Sequence, residues 1–248
     1  MPTPTEKEQR EDSPEDIARK TIRYRTASEM SGMRVEGIDG SLGKVADILI
    51  DDRTWAVRYV VVETRSWLSG RQVLITPRHI LDVEENAIRR DSLTVNLDRE
   101  RIGNAPLLKD GAPISRRYEE EYFLYYKQDA YWFGGSDVWG AGGTPPIPHT
   151  PEEQARHDEA MKEIDKCHVR SLEAMQRYEV IASNCEIIGE VSDFLITEGD
   201  WIVRWVEVTS SDPFHPLDFC INPGAVKKID YKAKTITVAS PVNFMTTA

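Results

Sequence analysis

The 248-residue chain carries 42 acidic against 31 basic side chains, a formal charge of −11, and 40% hydrophobic residues. Its Lys and Arg are interspersed among acids rather than clustered, which argues against nucleic acid as a direct partner. The length suggests two domains, no apolar run approaches a membrane span or forms a leader, and three cysteines (Cys167, Cys185, Cys220) point to reduced thiols in a cytoplasmic protein.

Residues 1–20 are polar, contain Pro2, Pro4 and Pro14, and read as a disordered tail. Residues 22–26 offer a first strand. The glycine-rich run 36–43, EGIDGSLG, has neither dinucleotide-fingerprint nor P-loop spacing and reads as a turn between strands. Alternation over 45–51 and β-branched crowding over 55–62 predict a β-hairpin. A two-residue loop, Asp52-Arg53, sets Asp51 opposite Thr54 and therefore Asp47 opposite Arg58. That pair is expected to be a structural ion pair worth at most about 1 kcal/mol if exposed. On this register Ala46, Ile48, Ile50, Trp55, Val57 and Tyr59 share the inward face.

The loop 65–71, RSWLSGR, is expected to hold Trp67 and Leu68 at an exposed tip beside Arg71, a composition suited to an interface anchor. The alternative is that Trp67 folds back over its own barrel. Short strands follow at 72–76, 80–84, 87–90 and 93–97. Ser115 caps a helix over 116–127 whose Tyr118, Tyr122, Phe123, Tyr125 and Tyr126 form an aromatic stripe. Aromatic density continues through Tyr131, Trp132 and Trp139, further interface candidates. Packing of this segment on a barrel or across a dimer is preferred to a stacking platform for a planar ligand. After a Gly/Pro linker at 140–148, Thr150-Pro151-Glu152-Glu153 is a capping box that starts a charged connecting helix to about Arg177. His157, Cys167 and His168 lie on it at no standard metal-ligand spacing.

The hairpin then returns. Gly43 to Val62, GKVADILIDDRTWAVRYVVV, is matched by Gly189 to Val208, GEVSDFLITEGDWIVRWVEV, at a constant offset of 146 residues. The same arithmetic sets Asp193 opposite Arg204, and Gly199 supplies the positive φ of the second turn. Strands are expected at 218–222, 226–230 and 235–239, with a loose tail at 241–248. Five or six short strands per copy favour a small closed barrel.

The run from Gly43 to Val62, continued by residues 71–77, resembles the PRC-barrel family, named after the cytoplasmic barrel of the photosynthetic reaction-centre H subunit. The second copy resembles it more loosely: Thr54-Trp55-Ala56 becomes Asp200-Trp201-Ile202, and a wide loop at 210–216 replaces 65–70. Residues 118–132 resemble the YEE…YY…YW tail of stand-alone bacterial members. The resemblance implies a mainly β chain of two small PRC-type barrels joined by an aromatic helix–loop and a charged helix. The expected divisions are a tail (1–20), first barrel (21–110), joining segment (111–177), second barrel (178–240) and tail (241–248).

The family implies docking or scaffolding and brings no catalytic, cofactor-binding or metal-binding residues. With no G-x-S-x-G, Ser/His/Asp arrangement or phosphate cradle in the sequence, an enzyme is not expected. The expectation is a non-catalytic interaction or scaffolding module with a protein partner, open to self-association as a homodimer. The alternative is a small-ligand or ion-binding protein with its site between the barrels or under the aromatic loop.

Overall fold

The computed structural model describes residues 23–64, 66–68, 71–86, 89–106, 114–128, 130, 168–211, 218–239 and 245–246. These residues are mainly β and form two sheets. The first contains β2 (Arg34–Gly37), β3 (Gly40–Asp51), β4 (Val57–Glu63), β5 (Gln72–Ile75), β6 (Ile80–Asn86) and β7 (Arg89–Val95), in the order β5-β4-β3-β2-β7-β6. The second contains β9 (Glu179–Ala182), β10 (Ile187–Thr197), β11 (Val203–Ser210), β12 (Phe219–Ile221), β13 (Val226–Asp230) and β14 (Thr235–Val238), in the order β12-β11-β10-β9-β14-β13. The second sheet therefore repeats the first strand for strand, including the parallel pairs β2/β7 and β9/β14 among antiparallel neighbours. A further short strand, β15 (Met245–Thr246), extends it at β12.

Neither ladder closes on itself: each hydrogen-bonded path has two ends, in place of the expected closed barrels. In the first sheet the turn Pro77–His79 carries the chain away from β5 before β6 begins, so these consecutive strands do not pair. A helix, α3 (Arg116–Tyr126), following α2 (Arg99–Gly103), covers the β5 end instead. Ser115 caps α3 by accepting from the Tyr118 amide, and Lys127 ends it in the left-handed region, both at the places the sequence indicates. Tyr122 donates to the Leu74 carbonyl on β5 at 2.9 Å, and Tyr59 donates to buried Glu119 at 3.0 Å. The aromatic stripe thus packs on its own sheet and blunts an edge that would otherwise be open.

This cover explains a difference between the copies. Every residue from Val57 to Val62 is buried, as suits a strand covered on both faces, whereas β11 alternates with Arg204 exposed and Trp205 and Glu207 half-buried. Ile48, Ile50 and Val57 keep the predicted shared face and Trp55 is buried in the loop, but Ala46 is only half-buried and a register shift at Arg58 turns Tyr59 to the other face, opposite Leu49. One glycine pair is fixed by close approach: a Cβ on Gly43 would lie 2.1 Å from the Glu63 carbonyl oxygen, and one on Gly189 2.3 Å from that of Thr209.

The connecting helix does not reach Arg177. Residues 169–175 form β8 (Val169–Ser171) and a one-turn helix α4 (Leu172–Met175) capped by Ser171. The capping box at 150–153, with His157 and Cys167, lies outside the described residues. Near the start of the chain, β1 (Tyr24–Thr26) and α1 (Ala27–Met30) make the matching unit, with Thr26 and Glu29 forming a capping box.

Candidate functional site

The two repeats meet at their hairpin loops. Each loop has four residues rather than two. The Trp55 amide donates to Asp51 O at 2.8 Å and the Asp51 amide to Ala56 O at 2.9 Å; Trp201, Thr197 and Ile202 repeat the pattern at 3.1 and 3.0 Å. Both tryptophans are forced into the left-handed region, at φ 59° and 56°. This costs a bulky L-residue on the order of 1 kcal/mol. The strained conformation aims each Trp carbonyl across the interface, where Val57 donates to Trp201 at 2.8 Å and Val203 donates to Trp55 at 2.9 Å. Ala56 and Ile202, equivalent in the repeat, form an antiparallel bridge between them. The contact is isologous, as across the two-fold of a dimer, but within one chain.

The segments preceding each unit are exchanged about this point. β1 pairs with β10 of the second sheet through Tyr24↔Thr197, Arg25↔Ile196 and Thr26↔Leu195. β8 pairs with β3 of the first sheet through Val169↔Asp51, Arg170↔Ile50 and Ser171↔Leu49. Helices α1 and α4 travel with their strands and bury Met30 and Met175 in the shared core. Burying each such side chain stabilises by roughly 1.5–3 kcal/mol.

Polar contacts lock both exchanges in the same way. Asp52 receives Arg170 at 3.1 Å, His168 Nδ1 at 2.9 Å and the Tyr231 hydroxyl at 2.6 Å. Glu198, the equivalent of Asp52, receives Arg25, the equivalent of Arg170. Arg170 also stacks over the Tyr231 ring at 4.7 Å. The Tyr231 hydroxyl is pushed well above its ordinary pKa, first by burial and then by its bond to Asp52, so it stays a donor.

The four ion-pair candidates fall into a different arrangement from the one the hairpin arithmetic predicts. Bulges at Ala46 and Arg58 shift the register, leaving Asp47 opposite Val61; the second copy bulges at the equivalent Ser192 and Arg204, leaving Asp193 opposite Glu207. Freed from the arginines, both aspartates cap the exchanged helices. Asp47 accepts from the Glu173 amide at 3.2 Å and Asp193 from the Ser28 amide at 3.2 Å. Each also accepts from the amide that follows it, at 2.7 and 2.8 Å. Burial raises the Asp47 pKa, against the lowering effect of hydrogen bonds from Ser171, Glu173 and Ile48.

The arginines turn back to their own loops. Buried Arg58 reaches Asp51 at 3.3 Å and Thr54 at 3.2 Å, whereas exposed Arg204 pairs with Asp200. Acid and hydroxyl have traded places between copies: Asp51 and Thr54 correspond to Thr197 and Asp200. Either order gives the bulge arginine an acid and gives the loop a hydroxyl.

The interface candidates separate. Trp67 is half-buried rather than at an exposed tip. Its indole N–H donates to Leu42 O at 2.7 Å, the Arg99 guanidinium lies 5.8 Å from its ring centre, and it packs with Leu68 against the core. An indole donor seeks an acceptor, and the Leu42 carbonyl lies within reach of the fold-back loop. Arg71 is exposed at the end of the loop, with its carbonyl held by Thr64 at 2.7 Å. Tyr131, Trp132 and Trp139 lie outside the described residues. The residues that the hairpin reading missed, Arg25, Thr26, Arg170 and Ser171, carry a signal in the sequence: Arg25-Thr26 through Met30 matches Arg170-Ser171 through Met175 at an offset of 145, one short of the hairpin's 146.

Residues 23–102 match the PRC-barrel domain family. The first unit of the repeat carries that domain. The match begins at Arg23, so it takes in the exchanged β1 and α1 and reaches Ile102 in α2. No curated protein matches the chain. Among the described residues there is no cluster of His, Cys, Asp and Glu able to hold a metal ion, and no helix is long and apolar enough to cross a membrane.

Proposed function

We propose that this protein is a non-catalytic interaction or scaffolding module made of two PRC-type units, the second a diverged copy of the first. The observation that carries the reading is the PRC-barrel match over residues 23–102, a domain type that serves interactions. The common strand order, the bulges at Arg58 and Arg204 and the close-approach glycines at 43 and 189 support descent of the second unit from the same module. The surfaces through which two separate units would pair already meet inside one chain. We therefore infer that one copy is a complete pseudo-dimer, offering its outward faces to a protein partner.

Affinity purification of the full chain from its own cells, followed by reconstitution with each recovered protein, tests this reading. A complex of defined stoichiometry by light scattering supports it. Failure of every recovered protein to form a complex overturns it.

A further inference from the structure

Beside the meeting point of the two hairpin loops lies a cleft of about 560 Å³ with walls from both units. That is within the range of small-molecule sites. The first unit contributes the loop Asp52–Trp55; the second contributes Ile202 to Arg204, the turn at Asn222 to Gly224, and β13. The charged residues of its lining are Arg53, Arg204, Lys227, Lys228 and Asp52, four cations to one acid in a chain of net charge −11. The single acid is already engaged by Arg170, His168 and Tyr231.

Arg204 and Lys228 each hold one acid, Asp200 and Asp230, and Arg53 approaches Asp51 at 3.8 Å. A guanidinium has five N–H donors and an ammonium three, so these contacts leave donors for a ligand. Lys227 is exposed and has no ion pair among the described residues.

The scaffold does not require three of these four cations. At the equivalent positions in the other copy, Arg53 becomes Gly199, Lys227 becomes Leu81 and Lys228 becomes Asp82, and Arg204 becomes Arg58, which is buried and bound to Asp51. The same topology forms with or without Arg53, Lys227 and Lys228, so their convergence with Arg204 is a property of this cleft and not of the fold.

We propose that the inter-unit cleft binds a small polyvalent oxyanion, a phosphate ester or a polycarboxylate. Forked arginine donors match the paired oxygens of either group, and the lysines add point charge. Trp55, Ile202 and Val203 supply a low-dielectric wall that strengthens the attraction. This site goes beyond the docking function and stands or falls separately from it.

Titration of the full chain with inorganic pyrophosphate and with citrate, followed by backbone amide NMR and calorimetry, tests the proposal. At ~50 mM salt, where surface charges are only partly screened, one or both anions should shift the amides of Gly224 and Lys227. Arg53→Glu and Lys227→Glu should each weaken binding at least about tenfold, because charge reversal adds repulsion to the lost contact. Both side chains are solvent-facing, and unchanged melting temperatures establish that the variants fold. Lys44→Glu, an exposed charge on β3 outside the cleft, should bind as the parent does. Pyrophosphate binding without citrate identifies the phosphate-ester class, and the reverse identifies polycarboxylates. The proposal is overturned if neither anion binds at roughly 10 mM, a concentration at which even millimolar affinity saturates. It is also overturned if both cleft variants bind like the parent, or if Lys44→Glu loses as much as they do.

Discussion

Ala56 and Ile202 occupy the same position in their two repeats and face each other as partners in an antiparallel bridge. A residue that pairs with its own copy marks a two-fold relationship, here contained in a single chain. The exchanged strands, the helix-capping aspartates and the clamping arginines are all placed about this point. The following consequences can be measured.

Asp51 and Thr54 should be exchangeable as a pair and not singly. Asp51→Thr leaves the buried Arg58 without its acid, a loss expected to cost about 3 kcal/mol. Adding Thr54→Asp recreates the Thr197/Asp200 order of the other copy and should restore stability to within about 1 kcal/mol of the parent. Chemical denaturation of the two single variants and the double variant checks this through the coupling energy.

Asp47 acts as a helix cap as well as a charge. Asp47→Ala strands the Glu173 and Ile48 amides and should cost about 1–2 kcal/mol. Asp47→Asn keeps an accepting oxygen and should cost less than half as much. Because the folded carboxyl has a raised pKa, its contribution is fully present below about 3.8, the unfolded value, and is lost as pH rises through the folded value. The Asn variant should therefore lose this component in a comparison of melting temperature against pH.

The tyrosines of α3 separate bonded from unbonded hydroxyls. Tyr122 donates to the Leu74 carbonyl, whereas the buried Tyr126 hydroxyl has no hydrogen-bond partner among the described residues. Tyr122→Phe should cost about 1 kcal/mol, and Tyr126→Phe should be neutral or stabilising. Urea unfolding midpoints of the two variants give the contrast directly.

His79 is buried between Asn96 at 2.7 Å and Gln128 at 2.9 Å. Gln128 accepts from Thr76 through its oxygen and so presents its NH₂ to His79 Nε2, which assigns the imidazole proton to Nδ1. Burial first, then the charges of Arg101 and Arg78, lower its pKa below the ordinary 6.5, against the bond to Asn96. Between the two values the unfolded chain holds the extra proton, so stability is complete above about 6.5 and falls as pH drops through the folded value. His79→Gln should flatten that part of the melting-temperature profile.

Much of this fold was legible in the sequence because local signals agreed with it. The 146-residue repeat predicts two copies of a hairpin unit, and Ser115 and the aromatic stripe predict α3. The register was not legible. It depends on a loop that places a tryptophan in the left-handed region, where Gly199 is the obvious candidate and Trp201 is not, and on single-residue bulges at Arg58 and Arg204. Hairpin arithmetic therefore pairs Asp47 with Arg58 and Asp193 with Arg204, where the bulged strands give each of the four another partner. The exchange was hidden because the sequence shows that β1 and β8 precede their units but not which sheet each one joins. Trp67 shows a similar limit: RSWLSGR leaves an exposed tip and a fold-back equally open, and only the Leu42 carbonyl within reach of the indole decides for the fold-back.

The central claim is that each unit is completed by a strand and helix belonging to the other. Residues 1–140 and 149–248, produced as two separate chains in the same cell, test it most directly. The account predicts that they purify together as a one-to-one complex that melts cooperatively, and that Met30→Ala and Met175→Ala each weaken the association. Two halves that purify apart, each folded with its own melting transition, would contradict it.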